Sequence, residues 1–286
     1  ETNLDAIKNI GITDGKITEI SSSALFGNQV VDVTGKVVSP GFIDLHVHGR
    51  GNKEQEYQAH DGVTTALELE YGIEFLSNWY DSRKNKALIN YGASVNWAFE
   101  RFQTMEDEEV KQKLVELKEA TVSGDWHFET MLNYIRPSYS TSLSTYQIKQ
   151  MLLNIKSTLA DGALGIGVPV GYVTGANTEE IFRIYEQAGD LEVPIFTHVR
   201  SGGLMAVQQT ISDAVLTNAP LHIVHVNSMV LGEIELAIEM VKKANDKGYD
   251  ISTELYPYTA ASTTLESAFF DKGWDIGYVS HILACL

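Results

Sequence analysis

The chain has 286 residues, 44% of them hydrophobic and 21% charged, a composition that supports a folded core and excludes a disordered or fibrous protein. Its formal net charge of -17 argues against a nucleic-acid partner, because phosphate binding depends on clustered lysine and arginine. The sequence has no apolar run long enough for a transmembrane helix and no signal-peptide pattern at its start, which predicts a cytoplasmic protein with no membrane partner.

The N-terminal segment has the pattern of short strands and tight turns. Residues 10–13 and 16–20 flank an Asp-Gly turn, and residues 29–33 and 36–38 flank a Thr-Gly turn. Such spacing is typical of β-hairpins. A Ser-Pro-Gly sequence then marks a change of pattern. We therefore predict two domains, a partial β-sandwich appendage over residues 1–40 and a larger domain over residues 41–286.

The larger domain alternates short apolar segments with amphipathic helical segments, as βα units do. Candidate strands cover residues 42–48, 63–70, 88–97, 163–170, 193–199, 221–227 and 250–258. Candidate helices cover residues 106–119, 146–159, 179–188 and 233–244. The pattern predicts an α/β fold, a parallel sheet or barrel of βα units, and we expect a (β/α)8 TIM-type barrel. Since seven strands are one fewer than a closed barrel needs, we expect the last strand to be missing from this chain.

Histidines stand at the ends of three predicted strands. In the first strand the period of two places His46 and His48 on one face, where two imidazoles can bind one metal ion. His198 and His225 end two later strands, and the carboxyl ends of barrel strands meet at one rim. The only cysteine, Cys285, forms no intrachain disulfide and leaves histidine and carboxylate as the metal ligands. The alternative is a pair of surface histidines on an edge strand.

The remaining histidines are expected to have structural or solvent-exposed roles. His222 competes with His225 for the sixth strand, but the two lie three residues apart and hence on opposite faces of a strand. His225 is nearer the carboxyl end, so we expect His222 to be a structural residue packed against a helix. His60, His127 and His281 are expected to be exposed.

The second predicted strand carries Glu68 and Glu70 on one face of an otherwise apolar segment. Buried carboxylates are costly unless they are paired or bound to a metal. Glu70 lies nearer the carboxyl end of the strand, and we predict that it bridges two ions, with Glu68 as the alternative ligand. Pairing of this acidic face with lysine or arginine side chains remains a second interpretation.

Several motifs resemble a known family. The sequence Pro-Gly-Phe-Ile-Asp-Leu-His-Val-His at residues 40–48 resembles the strand-one signature of the amidohydrolase superfamily. Gly-Ala-Leu-Gly at residues 162–165, Thr-His-Val-Arg-Ser at residues 197–201, and Tyr-Pro-Tyr-Thr with Ala-Ser-Thr at residues 256–263 resemble the N-acyl-D-amino-acid deacylases, or D-aminoacylases. The resemblance extends from about Ile10 to Trp274.

This resemblance implies a zinc-dependent barrel with one or two Zn2+ ions. It implies four histidine ligands in two pairs joined by a bridging ligand from strand two: His46 with His48, and His198 with His225. D-aminoacylases typically place a cysteine at the bridging position, where this chain has Tyr71. Glu70, one residue earlier, is our replacement for it.

Two departures from related families bear on the substrate. Hydantoinases, dihydroorotases and ureases usually bridge two metals with a carboxylated lysine on strand four, but residues 164–170 contain no lysine. On strand three this chain has Asn96 and Trp97 near the position where relatives often carry a histidine. We therefore expect metal-dependent hydrolysis of a linear amide, the deacylation of a small-molecule N-acyl-D-amino acid. Cyclic-amide hydrolysis of the dihydroorotase or hydantoinase type is the alternative.

The superfamily carries a proton-shuttling aspartate at the end of strand eight. No predicted strand after Tyr258 supplies one, and we expect neither Asp271 nor Asp275 to replace it, so the sequence identifies no catalytic residue. Tyr258, Tyr256 and Arg200 are candidates for binding the acyl oxygen or carboxylate of the substrate. Packing of the tyrosines, and pairing of the arginine with a neighbouring acid, are the alternatives.

An open barrel exposes two strand edges, which favour association with other chains. We therefore expect this chain to be poorly active and prone to associate, with a homo-oligomer as one form. A non-catalytic fragment or scaffold is the alternative function.

Overall fold

The computed structural model describes residues 6–105, 107–123, 128–200 and 202–260. The chain divides into two compact units, Glu1–Pro40 and Gly41–Leu286. Across the described ranges, no helix is both long enough and apolar enough to cross a membrane.

The first unit contains one antiparallel hairpin. Strands β1 (Asn9–Thr13) and β2 (Lys16–Ser21) pair in antiparallel register. The turn residues Asp14 and Gly15 have positive φ angles of 52° and 73°, the conformation that a tight hairpin turn requires. The Asp-Gly signal in the sequence therefore predicts this hairpin correctly.

The second predicted strand pair of this unit is wrong. Residues 29–33 and 36–38 form no strand, and between them lies a turn in which the Asp32 carboxylate accepts a hydrogen bond from the Thr34 amide. The valines of these segments are exposed; Val37, for example, is 94% exposed. Alternating apolar residues stabilise a strand by burying one face, and here that burial is absent.

The second unit contains a seven-stranded parallel sheet whose strands follow chain order. Its strands are β3 (Phe42–Asp44), β4 (Val63–Ile73), β5 (Asn90–Asn96), β6 (Ile166–Pro169), β7 (Ile195–His198), β8 (Leu221–Ile223) and β9 (Ile251–Thr253). All seven predicted strands are confirmed, and their order is that of a TIM-type barrel. Within the described residues the sheet ends at β9, and they contain no eighth strand of the barrel.

Helices connect successive strands of the sheet. They are α1 (Asn52–His60), α2 (Leu76–Arg83), α3 (Trp97–Phe102), α4 (Glu108–Ser123), α5 (Phe128–Ile135), α6 (Thr145–Ala160), α7 (Thr178–Leu191), α8 (Leu204–Thr217), α9 (Val226–Val230) and α10 (Ile234–Asn245). Short 3-10 helices cover Arg136–Ser138 and Leu231–Glu233. The four predicted helices correspond to α4, α6, α7 and α10.

Local sequence fixes the start of two of these helices. Ser144 caps α6, because its hydroxyl accepts from the Gln147 amide while the Gln147 side chain accepts from the Ser144 amide. Asn177 caps α7 by accepting from the amide of Glu180. The two helices pack their apolar faces in the main core with the strands. Because the strands are parallel, their carboxyl ends lie at one rim of the sheet.

A bulge in β4 shapes the part of the sheet that carries the candidate site. The register between β4 and β5 shifts between Glu68 and Ile73. Gly72 has a φ of 74°, and a Cβ atom at this position would lie 2.5 Å from the Ser94 carbonyl oxygen. Only glycine adopts this conformation without a clash, so Gly72 permits the bulged segment that contains Glu70.

Candidate metal centre

Five side chains predicted as metal ligands converge at the carboxyl ends of four strands. His46 and His48 follow β3, Glu70 lies in β4, His198 ends β7, and His225 follows β8. Two groups of potential ligand atoms result, one from His46, His48 and Glu70 and one from Glu70, His198 and His225. Within each group the atoms lie within 4.8 Å of one another. The fold thus brings together residues from distant parts of the sequence.

The Glu70 carboxylate joins the two groups. Its Oε2 atom lies 2.8 Å from His46 Nε2 and 3.2 Å from His48 Nε2. Its Oε1 atom lies 2.8 Å from His198 Nδ1 and 3.6 Å from His225 Nε2. Each oxygen of one carboxylate therefore faces a separate pair of imidazoles.

A second carboxylate, Glu68, lies beside the first group and has different partners. Glu68 is 2% exposed, and its oxygens lie 3.1 and 3.2 Å from His48 Nδ1. Its Oε2 atom also lies 3.8 Å from Arg50 Nε, and Arg50 forms a 2.6 Å ion pair with Glu74. Pairing with arginine, the second interpretation of this acidic face, therefore applies to Glu68. The partners of Glu70 are histidines.

A third carboxylate, Glu254, was missed by the sequence analysis. It follows β9, and its Oε1 atom contacts His46 Nδ1 and accepts a 3.2 Å hydrogen bond from the His225 amide. Its Oε2 atom lies 3.3 Å from His222 Nε2. The sequence held a signal for it, because period-two alternation along the predicted seventh strand places Ser252 and Glu254 on one face near the carboxyl end.

His222 has polar partners on the neighbouring strand. It is 8% exposed, and its Nδ1 atom lies 2.8 Å from the Ser252 hydroxyl on the neighbouring strand. Its other ring nitrogen faces Glu254. Since both polar contacts are made with residues in or just after β9, His222 has a structural role between strands.

The carboxylates change the protonation of the first histidine pair. Burial opposes the charged form of His46, but its hydrogen bonds to Glu254 and Glu70 outweigh that effect and raise its pKa to about 10. Burial also opposes the charged form of His48, but the negative charge of Glu68, with hydrogen bonds to Glu68 and Glu70, raises its pKa to about 9. The carboxylates around His46 and His48 therefore favour positive charge at both rings.

The Glu70 carboxyl stays ionised in this environment. Burial raises its pKa, but hydrogen bonds from His198, His225, His46 and His48 outweigh burial and hold the pKa well below the usual value. His198 behaves differently, because burial dominates there and lowers its pKa, which favours the neutral imidazole that binds metals.

The donor set fits a metal such as zinc. Zinc accepts imidazole nitrogen and carboxylate oxygen, and tetrahedral ligands at about 2.0–2.1 Å lie about 3.3 Å from each other. The four contacts of Glu70, at 2.8, 3.2, 2.8 and 3.6 Å, bracket that separation. Buried carboxylates surrounded by imidazoles also need positive charge, which a divalent cation supplies.

The predicted substrate-binding residues have partners other than the five candidate ligands in the described part of the chain. Arg200 donates a 2.8 Å hydrogen bond to the Ala176 carbonyl and interacts electrostatically with Glu180 and Asp213. It lines a crevice with Thr197, a neighbour of His198 whose side chain faces the opposite side of β7. Arg200 therefore lies near acidic side chains, which is the arrangement that the alternative for this residue describes.

The two tyrosines stack on each other with ring centroids 6.3 Å apart. Tyr258 is 75% exposed, and the backbone of Tyr256 pairs with the Asn227 side chain. Both follow β9 at the rim that carries the histidines, without a hydrogen bond or ring contact to them. Several other residues of the sequence analysis lie outside the described residues: His127, Asp271, Asp275, His281 and Cys285.

Comparisons with known proteins agree with this architecture. No protein-family model matches the chain. A D-aminoacylase from Alcaligenes xylosoxydans xylosoxydans is 26% identical over 271 residues, which cover 90% of this chain and 54% of that protein. An allantoinase from Bacillus licheniformis is 24% identical over 273 residues, covering 86% of this chain and 54% of that protein. The chain thus spans about half the length of these curated relatives.

Among solved structures, the N-acyl-D-glutamate deacylase from Bordetella bronchiseptica, complexed with zinc and a phosphonate inhibitor, has a TM-score of 0.69. Its sequence is 17% identical, and the match covers 90% of this chain and 56% of that one. The TIM-type barrel and the resemblance to D-aminoacylases of the amidohydrolase superfamily, both predicted from the sequence, are therefore confirmed.

Proposed function

We propose that this chain carries the metal-binding part of an amidohydrolase that deacylates N-acyl-D-amino acids. One observation carries the proposal, namely that each oxygen of the Glu70 carboxylate faces its own histidine pair. The sequence similarity to a D-aminoacylase supports the substrate class. The N-acyl-D-glutamate deacylase that shares the fold supports it as well.

Five residues would hold the metal. In the proposal His46 and His48 bind one ion, His198 and His225 bind a second, and Glu70 bridges them. We propose Zn2+ because the donors are nitrogen and oxygen atoms that zinc accepts. A bound zinc ion polarises a scissile carbonyl and lowers the pKa of a coordinated water toward about 7.

The chain's own residues supply charge and order to this centre. Glu70 remains ionised at neutral pH, so it gives negative charge to both positions. Arg50 holds Glu68, which in turn contacts His48 Nδ1 and fixes the orientation of that ring. No general acid or base is assigned within the described ranges.

Two residues after β9 are proposed to contact the substrate. Tyr256 and Tyr258 lie at the same rim as the histidines. The hydroxyl group of the exposed Tyr258 can donate a hydrogen bond to an acyl oxygen or a carboxylate. Arg200 is not retained for this role, because its guanidinium group interacts with Ala176, Glu180 and Asp213.

A cyclic-amide hydrolase is the second candidate, since the allantoinase from Bacillus licheniformis is 24% identical. We prefer deacylation as the function, because β6 (Ile166–Pro169) carries no lysine that could become a carboxylated bridging ligand. Glu70 on β4 occupies that bridging role instead.

Elemental analysis tests the metal centre. We expect about one or more zinc ions per purified chain, and a large loss of zinc in His198→Ala and in His225→Ala. His60→Ala is the matched control, since His60 is an exposed histidine on α1 and should leave the zinc content unchanged. A parent chain that holds no zinc above background would contradict the proposal.

Substrate trials with the zinc-loaded chain separate the candidate functions. Turnover of N-acetyl-D-amino acids, with little turnover of the L enantiomers or of dihydropyrimidines and allantoin, supports the deacylase. Turnover of the cyclic amides alone supports the second candidate. Zinc binding without turnover of either class supports a non-catalytic fragment or scaffold.

The cytoplasmic location and the homo-oligomer remain predictions. The edge strand β3 carries exposed apolar side chains, with Phe42 58% and Ile43 63% exposed. Such an edge favours association. Sedimentation of the purified chain at several concentrations tests the oligomer, and a monomer at all of them would contradict it.

A further inference from the structure

We infer that Glu254 is a positioning residue of the metal centre, which sets the tautomer and orientation of His46 so that the metal-binding nitrogen faces Glu70. The inference deepens the proposed function and rests on it. It assigns to Glu254 an indirect role, because Glu254 belongs to neither group of potential ligand atoms.

The two nitrogens of the His46 ring have different partners. Nδ1 contacts Glu254 Oε1, while Nε2 lies 2.8 Å from Glu70 Oε2. An imidazole that donates its proton from one nitrogen to a carboxylate presents the lone pair of the other nitrogen. In the neutral imidazole that binds a metal, Glu254 therefore favours the tautomer of His46 in which Nδ1 carries the hydrogen and Nε2 faces the metal.

Glu254 is itself held in place by two neighbours. The His225 amide donates a 3.2 Å hydrogen bond to Oε1, and His222 Nε2 lies 3.3 Å from Oε2. The other nitrogen of His222 lies 2.8 Å from the Ser252 hydroxyl. His222 and Ser252 are register partners on adjacent strands, so the carboxylate is positioned by the sheet and not by a flexible loop alone.

This arrangement connects both histidine pairs through one side chain. Glu254 contacts the ring of His46 in the first pair and the backbone of His225 in the second. Loss of the carboxylate would free the His46 ring to rotate or change tautomer. Side chains that orient a metal ligand typically change metal affinity by about 10- to 100-fold when they are removed.

Two variants of the full chain test the inference. Zinc affinity is measured by competition with a chromogenic chelator at neutral pH. We expect Glu254→Ala to weaken zinc binding by about 10- to 100-fold. Glu254→Gln should weaken it less, because the amide oxygen still accepts from Nδ1. Asp213→Asn is the matched control, a partly buried carboxylate on α8 whose electrostatic partner is Arg200, and its affinity should match the parent.

The His46 tautomer gives a readout that general loosening of the fold would not move. In long-range 15N–1H spectra of histidine-labelled chain, we expect His46 Nδ1 to be protonated in the zinc-bound parent and in Glu254→Gln. In Glu254→Ala we expect a mixture of tautomers. Far-ultraviolet circular dichroism verifies that each variant is folded, and Glu254→Gln carries the test if Glu254→Ala does not fold.

The outcomes separate this inference from the function on which it rests. A parent chain that binds no zinc overturns both. A parent that binds zinc, with Glu254→Ala at equal affinity and with unchanged His46 shifts, overturns the positioning role alone. If Glu254→Ala does not fold, a zinc affinity of Glu254→Gln identical to that of the parent, or loss of the Nδ1 proton of His46 in the parent itself, overturns it.

Discussion

Glu70 and His198 are 128 residues apart in the sequence, yet Glu70 Oε1 lies 2.8 Å from His198 Nδ1. The contact joins β4 to β7 across the sheet, and β6 lies next to β7 in the strand order. Gly167 in β6 makes room for this approach, because a Cβ atom there would lie 2.5 Å from the Glu70 carbonyl oxygen. The position of the Glu70 backbone therefore depends on glycine in a strand that contributes no candidate ligand.

Substitution of the bridging carboxylate should release the metal from both positions. Glu70→Gln keeps the size of the side chain but removes the negative charge shared by the four histidines. We expect zinc affinity to fall by at least about 10-fold, the lower end of the effect of removing a ligand's orienting partner. Chelator competition measures it, with Glu56→Gln on the exposed face of α1 as the control. Unchanged zinc affinity would mean that another residue is the bridging ligand, and Glu68 would be the next candidate.

Zinc binding should release protons at neutral pH. The pKa of His46 is raised to about 10 and that of His48 to about 9, so both imidazoles are protonated at pH 7 in the metal-free chain. Metal ligation requires neutral imidazole, so binding displaces about two protons and the affinity rises with pH. Calorimetry in buffers of different ionisation enthalpy counts the protons. A buffer-independent enthalpy would contradict this protonation state.

The strands and the five converging side chains could be predicted because their signals are local. Period-two alternation placed His46 and His48 on one face, and a histidine at the end of a strand is visible within a few residues. The structure brings these residues together as expected. Six of the seven strands are shorter than predicted, as β8 shows by covering only Leu221–Ile223 with His225 after it. The exception is β4, which extends to Ile73, beyond its predicted end at residue 70. Periodicity does not report where pairing stops.

The remaining features depend on contacts that no local pattern encodes. Glu254 contacts His46 across 208 residues of sequence, and only the strand order brings them together. Arg200 follows the proposed ligand His198 by two residues, but its side chain turns toward Ala176 and the α7–α8 side of the sheet. The valine-rich segments near Val37 resemble strands in sequence, yet their valines are exposed in the described part of the chain. Tertiary structure decides all three features, and no local pattern in the sequence reports it.

A buried carboxyl outside the metal centre should make stability depend on pH. Burial raises the pKa of Glu100 to about 7, although Thr158 and Gln103 donate hydrogen bonds to it. The folded state thus retains a proton that the unfolded chain loses near pH 4.5, so stability falls as pH rises from about 4.5 to about 7. The shift corresponds to about 3 kcal/mol.

Glu100→Gln removes this titration and keeps the hydrogen-bonding shape. We expect the variant to gain stability relative to the parent between pH 5 and pH 8, by up to about 3 kcal/mol. Urea unfolding of both chains at pH 5 and at pH 8 measures the difference in their free energy of unfolding. The contributions of the other titrating groups cancel in this difference. An equal difference at both pH values would mean that Glu100 is already ionised in the folded state at pH 5, or that local opening exposes its carboxyl group to water.

Two arginine–glutamate pairs should differ sharply in their effect on stability. Arg101 and Glu180 are both 0% exposed and 2.9 Å apart, and Arg101 also donates to the carbonyl oxygens of Ser138 and Thr141. Arg101→Met would remove the hydrogen-bonded cation of the buried Glu180, and loss of one partner of a buried ion pair typically costs about 3–5 kcal/mol. Much of that cost comes from the uncompensated charge, so adding Glu180→Gln should recover part of it.

The exposed pair of Arg183 and Glu186 supplies the matched comparison. Their side chains are 45% and 47% exposed and lie 2.8 Å apart on α7, where water screens the charges. Arg183→Met should therefore cost at most about 1 kcal/mol. Urea unfolding at pH 7 measures all three variants against the parent. Equal losses for Arg101→Met and Arg183→Met, or no recovery when Glu180→Gln is added, would show that the buried pair is reached by solvent.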